Sequence, residues 1–339
     1  MIPPCILCHA KNTNLNQKVG KTALCKLYKR AFSLDIAHLI QSDLLYWHCP
    51  SCDIRFFTLE DGRVPTGDEA FYDQLNKLDW YYQAEKGEYH YARDYISKNT
   101  ESKSPKILEV GCGRAAFASF LAKTLRHDYV GLEFSSSAKR MAANSNIEIQ
   151  NLSIEEYAKC EEAKEGFDVV CSFQVLEHVA NPHSFLHAKI QCLKGLTPNM
   201  GGGGGRPPSA SQNTKSSNQT PLLIVAVPSE DSFLKHSVNN ALNLPPHHVS
   251  RFSDKALESI ATIFNLKLLD IYHEGLDPQH IDWFKETMWA KKFLPTPLIN
   301  RSFERKLVNK LGRIFGKNLI SIPKNTYGHT ALAIYTTRG

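Results

Sequence analysis

KILEVGCGRAAFASFLA, residues Lys106–Ala122, is the stretch on which the reading of the whole chain turns. Ile107–Val110 is a short apolar run of strand length, Gly111-Cys112-Gly113-Arg114 a turn, and Ala115–Ala122 a helix. Gly111 and Gly113 let the backbone bend sharply and come close to a ligand. The helix start that follows offers free N–H groups and a partial positive charge. By spacing alone, GCGRAA also fits a dinucleotide fingerprint with alanine as its last member. Glu109 shifts the balance. A carboxylate in an apolar strand end costs free energy unless it meets a donor or a cation, and the ammonium of an amino-acid-like ligand is such a partner.

Two further stretches agree with this reading. Tyr129–Glu133 is a short strand ending in an acid, about twenty residues after the glycine turn, where a carboxylate can take a pair of ribose hydroxyls. FDVVCSFQVLEHV, Phe167–Val179, is a buried strand running into a turn that carries Leu176-Glu177-His178. Phe173 and Gln174 fall just past the strand's carboxyl end, where open α/β sheets bind ligands. Glu109-Val110-Gly111-Cys112-Gly113 and FQVLEHV together resemble the class I S-adenosylmethionine (SAM) methyltransferases, with Ala115 standing where those enzymes usually have a third glycine. The resemblance runs over roughly Phe71–Gly339. It implies a Rossmann-like α/β fold, with a seven-stranded, mostly parallel sheet whose last strand is antiparallel. It also implies SAM as cofactor, held by Glu109, Gly111, Gly113, Glu133, Phe134, Phe173 and Gln174. The turn Ser153-Ile154-Glu155 would touch the adenine. A helical segment ahead of the glycine turn would lid the cofactor, with Tyr81 and Tyr82 reaching it. Glu177 and His178 are candidates for a catalytic role, with a structural, pocket-shaping role the preferred reading.

The chain begins with a different chemistry. Cys5-Ile6-Leu7-Cys8 and Cys49-Pro50-Ser51-Cys52 are two Cys-x-x-Cys pairs in one short segment. Zinc takes four soft ligands in a tetrahedron, and two such turns supply them. Four thiolates close the coordination sphere, so the expected Zn2+ is structural. No βαβ pattern surrounds either pair, which argues against a redox dithiol. His9 and His48 flank the knuckles as alternative ligands, and Lys26–Ile40 has the composition of a helix between them. Residues 1–62 are therefore a zinc-binding module, 65–100 an aromatic helical lid segment, and 101–339 the methyltransferase domain.

Within that domain, residues 199–220 contain five consecutive glycines followed by Pro, Ser, Asn and Gln, too polar to bury a core, and read as a disordered loop. Pro245-Pro246-His247-His248 sits in a proline-stiffened loop expected over the substrate side of the pocket. Histidine accepts protons near neutral pH, which makes His247 and His248 the candidate bases or substrate contacts. PPHHVSRFS also resembles a segment of bacterial members of the family that carry an N-terminal zinc module. Residues 280–324 form a basic helical insertion: Trp283–Lys324 has ten Lys/Arg against two Glu. There Phe303, Leu307, Leu311, Ile314 and Phe315 share one helical face. The plainer expectation is that this face covers the core. The other is that helix 303–317 lies on an anionic membrane surface.

Apolar content of 42% and charged content of 22% are those of an ordinary soluble protein, and a formal charge of +6 is too mild to imply nucleic acid. No apolar run approaches membrane-spanning length. The start MIPPCILCHA lacks a secretory pattern, so a cytoplasmic setting is expected. The function expected is methyl transfer from SAM to a small-molecule acceptor, a class that includes sugar- and lipid-linked ones, with no stable nucleic-acid partner. Two other classes compete. An NAD-dependent oxidoreductase is favoured only by GCGRAA and Glu133, and a non-catalytic zinc or RNA-binding module only by the knuckles and the basic stretch.

Overall fold

The computed structural model describes every residue except 1, 79, 80, 82–84, 101, 135–146, 196–219 and 339. The helix expected over Ser135–Asn144, the glycine-rich loop up to residue 219, and Tyr82 lie outside the described residues.

The N-terminal module builds a small antiparallel sheet from β1 (Asn14–Val19), β2 (Leu44–His48) and β3 (Arg55–Leu59). Its helix spans Lys21–Phe32, earlier than the expected Lys26–Ile40. Leu24, Leu27 and Tyr28 form the buried face, and Ser33 stops the helix in the left-handed conformation at φ 60°. Just beyond, the Asp35 carboxylate accepts the Ala37 N–H at 2.9 Å, a local turn that competes with helix.

The main sheet comprises β4 (Lys106–Val110), β5 (Asp128–Leu132), β6 (Glu148–Gln150), β7 (Val169–Phe173) and β8 (Leu222–Pro228), with β9 (Ser250–Arg251) outside it and β10 (Leu266–Gly275) and β11 (Tyr327–Thr337) completing it. The spatial order is β10-β11-β8-β7-β4-β5-β6. β6, β5, β4, β7 and β8 pair in parallel, and β11 runs antiparallel to both of its neighbours. This is the architecture expected: seven strands, mostly parallel, with the last reversed. Central strands buried on both faces read as continuous apolar runs, and Leu222–Val227 is buried throughout. The strand order reverses between β4 and β7, so the carboxyl ends of those two strands flank the crevice where such sheets bind ligands.

The short β9 does not join this sheet. It pairs with β3, so the N-terminal sheet gains its fourth strand from the main domain. Phe57 N–H donates to Val249 O at 2.9 Å, and the Tyr28 hydroxyl donates to the carbonyls of Ala241 and Leu244 at 2.8 Å each. The zinc-type module is thus a buttress behind the loop that carries His247 and His248.

The basic insertion departs from the plainer expectation. Phe303 is 76% exposed and Ile314 55%, and Leu307, Leu311 and Phe315 also face solvent. The reason lies in two glycines. A Cβ on Gly312 would stand 2.8 Å from Trp289 Cδ1, and one on Gly316 would stand 3.1 Å from Trp289 Cβ. The segment therefore docks its small-residue side on the helix Ile281–Phe293 and turns its large apolar side chains outward.

Candidate active site

A single cavity of about 1340 Å³ runs from the glycine turn to the histidine loop. One end is built by the carboxyl ends of β4, β5 and β7. Gly111 adopts φ +71°, and a Cβ there would lie 2.6 Å from Val175 Cγ2, so the turn and the β7 exit touch through a missing side chain. Ala115 opens the following helix from the left-handed region at φ 53°. That conformation costs a non-glycine residue about 1 kcal/mol, and it is the position where the resembling family has glycine.

Glu109 is 2% exposed and accepts a short hydrogen bond from the Tyr129 hydroxyl. Burial pushes its carboxyl up to about 8, with the Tyr129 bond opposing. Glu133 Oε2 accepts the Gly113 N–H at 2.8 Å, tying the end of β5 to the glycine turn. Glu109, Glu133 and the buried Glu88 all line the same cavity, so this end gathers three carboxylates where a cationic ligand would lie. Phe173 is packed between Tyr89 and Phe117, at ring separations of 5.0 and 4.6 Å. Gln174 is held at φ 58° and its amide donates to Glu88 Oε1 and Thr330 Oγ1, each at 3.4 Å. Phe134 stands 62% exposed at the rim. Ile154 lines the wall, while the Ser153 hydroxyl accepts the Glu156 N–H at 3.1 Å in a capping box, so its oxygen already serves the helix.

The other end is a histidine cluster. His247 Nδ1–H donates to Leu242 O at 2.8 Å, His178 Nδ1–H to His247 O at 2.7 Å, and His248 Nδ1–H to Asn243 Oδ1 at 3.2 Å. Those bonds fix the tautomer and leave Nε2 of each ring with the lone pair. Burial keeps all three rings below the ordinary histidine range, His178 at about 4. The rings are therefore neutral at pH 7. Glu177, 1% exposed, lies beside them, 3.7 Å from His178 Nε2 and 3.8 Å from His248 Nε2. Tyr81 is placed here and not over the glycine turn: its hydroxyl donates to His247 Nε2 at 2.9 Å.

The four N-terminal cysteines converge. Cys5 Sγ lies 3.6 Å from Cys52 Sγ, and Cys8 Sγ 3.6 Å from Cys49 Sγ. Zn–S bonds of about 2.3 Å set tetrahedral sulfurs about 3.8 Å apart, so the donor set fits a Zn2+ ion and is far too open for disulfides. The N–H groups of Leu7 and Cys8 aim at Cys5 Sγ, each at 3.4 Å, as a thiolate requires. The flanking histidines are engaged elsewhere: His48 bonds Asp53 at 2.7 Å, and His9 stacks on His183 at 4.4 Å.

Reasoning from sequence missed Glu88, Tyr129 and the Tyr72 hydroxyl, which lies 3.3 Å from His178 Nδ1. None sits in a motif. Each reaches the site across the fold, as Gln174 reaches Glu88 over 86 positions of chain.

Residues 82–199 match the profile of a methyltransferase-domain family. Among curated proteins, the ubiquinone biosynthesis O-methyltransferases of Salmonella enteritidis and Salmonella gallinarum are each 36% identical over 94 residues, 26% of this chain. The match spans 38% of the length of those relatives. Among solved structures, a SAM-dependent methyltransferase from Archaeoglobus fulgidus superposes with a TM-score of 0.47 at 14% identity, covering 78% of this chain and all of that one (100%).

Proposed function

Residues 82–199 match a methyltransferase-domain family, and we propose that the chain is a class I SAM-dependent methyltransferase that transfers a methyl group from SAM to an oxygen of a small-molecule acceptor. The observation that carries this reading is that one cavity holds the Gly111–Gly113 turn with Glu109 and Glu133 at one end and the histidine cluster at the other. The O-methyltransferase names of the Salmonella relatives favour oxygen as the atom methylated.

When bound, SAM supplies a sulfonium methyl that is transferred by in-line displacement. The residues of this chain supply alignment, the main source of rate in such a step. The acids at this end favour an amino-acid-like ligand with cationic groups over a pyrophosphate, Glu109 giving up its proton when an ammonium meets it. An NAD pyrophosphate would bring negative charge to a site lined by Glu88 and Glu133 and leave Glu109 without a cation, which disfavours the oxidoreductase alternative. Glu133 would serve the ribose end and Glu109 the amino-acid end. At the acceptor end, Nε2 of His247 or His248 would receive the proton of the acceptor hydroxyl. Titration calorimetry with SAM and NAD side by side tests the cofactor. SAM is expected to bind one per chain with micromolar affinity, and Glu133→Ala to weaken it about thirtyfold, or about 2 kcal/mol. Tight binding of NAD with none of SAM overturns the reading.

For the outward apolar face of Phe303–Leu311 and the following turn, the reading is a peripheral contact with an anionic bilayer. Phe303, Leu307 and Ile314 are exposed together in the segment rich in Lys and Arg, the composition of an interfacial helix. Among the described residues no helix is long and apolar enough to cross a membrane. Sedimentation with phosphatidylserine-containing vesicles is expected to pull down the protein and phosphatidylcholine vesicles to leave it in solution. Phe303→Ser with Ile314→Ser should abolish the difference, and equal recovery with both lipids would refute it.

A further inference from the structure

The histidine cluster has the construction of a metal centre. One ring nitrogen from each of His178, His247 and His248 lies within 4.8 Å of the other two. Ligands sharing one ion at about 2.1 Å sit roughly 3–4 Å apart, so a pair of rings at the 4.8 Å limit closes by about 1–2 Å to share it. Each ring's Nδ1–H is already committed to a carbonyl oxygen, two from backbone and one from Asn243. That is the outer-shell arrangement that orients imidazole ligands and raises their basicity.

Glu177 provides the independent observation. It is 1% exposed, and neither of its carboxylate oxygens meets a hydrogen-bond donor among the described residues. A carboxyl group left that way is costly, and its nearest ring nitrogens, His178 Nε2 at 3.7 Å and His248 Nε2 at 3.8 Å, stand beyond hydrogen-bond reach. A cation placed among the four groups satisfies the carboxylate and the ring lone pairs at once.

We propose that Glu177, His178, His247 and His248 bind a first-row divalent transition metal, a second site distinct from the four-cysteine cluster. Three imidazoles and one carboxylate suit Zn2+, Fe2+ or Mn2+ and are too nitrogen-rich for Mg2+ or Ca2+. Unlike the thiolate site, this one faces the cavity, so an ion that expands to five-coordination can take an oxygen of the acceptor as its fifth ligand. The Tyr81 hydroxyl, which now occupies the His247 lone pair at 2.9 Å, gives way when the metal binds. With the metal present the histidines act as ligands and no longer as bases; the ion would lower the pKa of the acceptor hydroxyl, and its proton would pass to solvent in the cavity. Metal binding stands on these side chains alone; its use on the acceptor rests on the methyl-transfer reading.

The test is metal stoichiometry of the full-length protein, by mass spectrometry after dialysis against Zn2+ and by optical titration with Co2+. Two equivalents are expected. The second Co2+ spectrum should lack thiolate-to-cobalt charge transfer, and His178→Asn and Glu177→Gln should each weaken the second site at least tenfold while the first is retained. A single equivalent in the wild type, or a second equivalent unaffected by both variants, overturns the proposal. Glu177→Gln is near-isosteric and removes a buried acid, so it guards against a misfolded His178→Asn. SAM titration of the same samples separates the two readings. Two equivalents without SAM binding leave the metal site standing and sink the enzymatic assignment, and one equivalent with SAM binding does the reverse.

Discussion

Cys49→Ser is expected to release one equivalent of zinc and lower turnover about a hundredfold while leaving SAM affinity within about threefold of wild type. The size of the effect follows from what the cysteine cluster supports. Structural zinc contributes on the order of 10 kcal/mol to folding of small modules, and the knuckle end of residues 1–62 is the part built around the cysteines, while Leu24, Tyr28, Ile36 and Phe57 form a separate core. Trp47, Ile54 and Phe56 pack around the cysteines in the same cluster as the main-sheet core. The split between turnover and affinity follows from topology. The glycine turn belongs to β4 and is flanked by β5 and β7, which pair with no strand of the module's sheet. His247 and His248, by contrast, precede β9, whose partner is β3. Arg55 and Ser253 converge on Asp53, and the Ser253 hydroxyl bonds its Oδ2 at 2.5 Å, so loss of the knuckle loosens the loop from both ends. Zinc content, thermal unfolding and SAM calorimetry of the one variant decide the matter. An unchanged melting temperature with turnover intact would show that the module is dispensable.

Glu109→Gln should move stability and binding in opposite directions. The Glu109 carboxyl is raised from 4.5 to about 8 by burial. Below pH 4.5 both folded and unfolded chains hold the proton, and the stability associated with the neutral buried acid is fully present. Between 4.5 and 8 the unfolded chain releases its proton and the folded chain does not, so stability falls as pH rises. Above about 8 the loss is complete, on the order of 5 kcal/mol. Glutamine cannot ionise and still offers an oxygen to Tyr129, so the variant should melt higher than wild type at pH 8 and alike at pH 4.5. It also lacks the negative charge proposed to meet the ligand's ammonium, and SAM affinity should drop about a hundredfold, near 2.7 kcal/mol. Parallel melting curves across that pH range, with calorimetry at pH 8, read both effects. A variant less stable at pH 8, or one that binds SAM normally, contradicts the assignment.

The cofactor end was legible because its chemistry is local. Glu109, Gly111 and Gly113 lie within five consecutive residues whose spacing dictates strand, turn and helix, and Glu133 follows at the end of the next strand. The acceptor end was legible only in fragments. His247 and His248 stood out as a pair, but Glu177 and His178 read as pocket-shaping residues because nothing in their own stretch points to the loop some seventy positions on, where His247 O accepts the His178 Nδ1–H. Tyr81 was placed with the cofactor and belongs with His247.

By itself the sequence determined the strand–turn–helix around Gly111, the four-thiol cluster and the acid at the strand end, since each arises from periodicity or spacing within a short window, while the seven-stranded sheet was what the family resemblance implied. Only the tertiary structure decided that β9 leaves the main sheet for the N-terminal one, that the apolar face of residues 303–315 looks outward, and that three histidines and an unpaired carboxylate share one pocket. Those outcomes depend on which surfaces meet across the fold: strand pairing, the fit of Gly312 and Gly316 against Trp289, and burial that strips water from Glu177. No window of sequence contains both sides of such a contact.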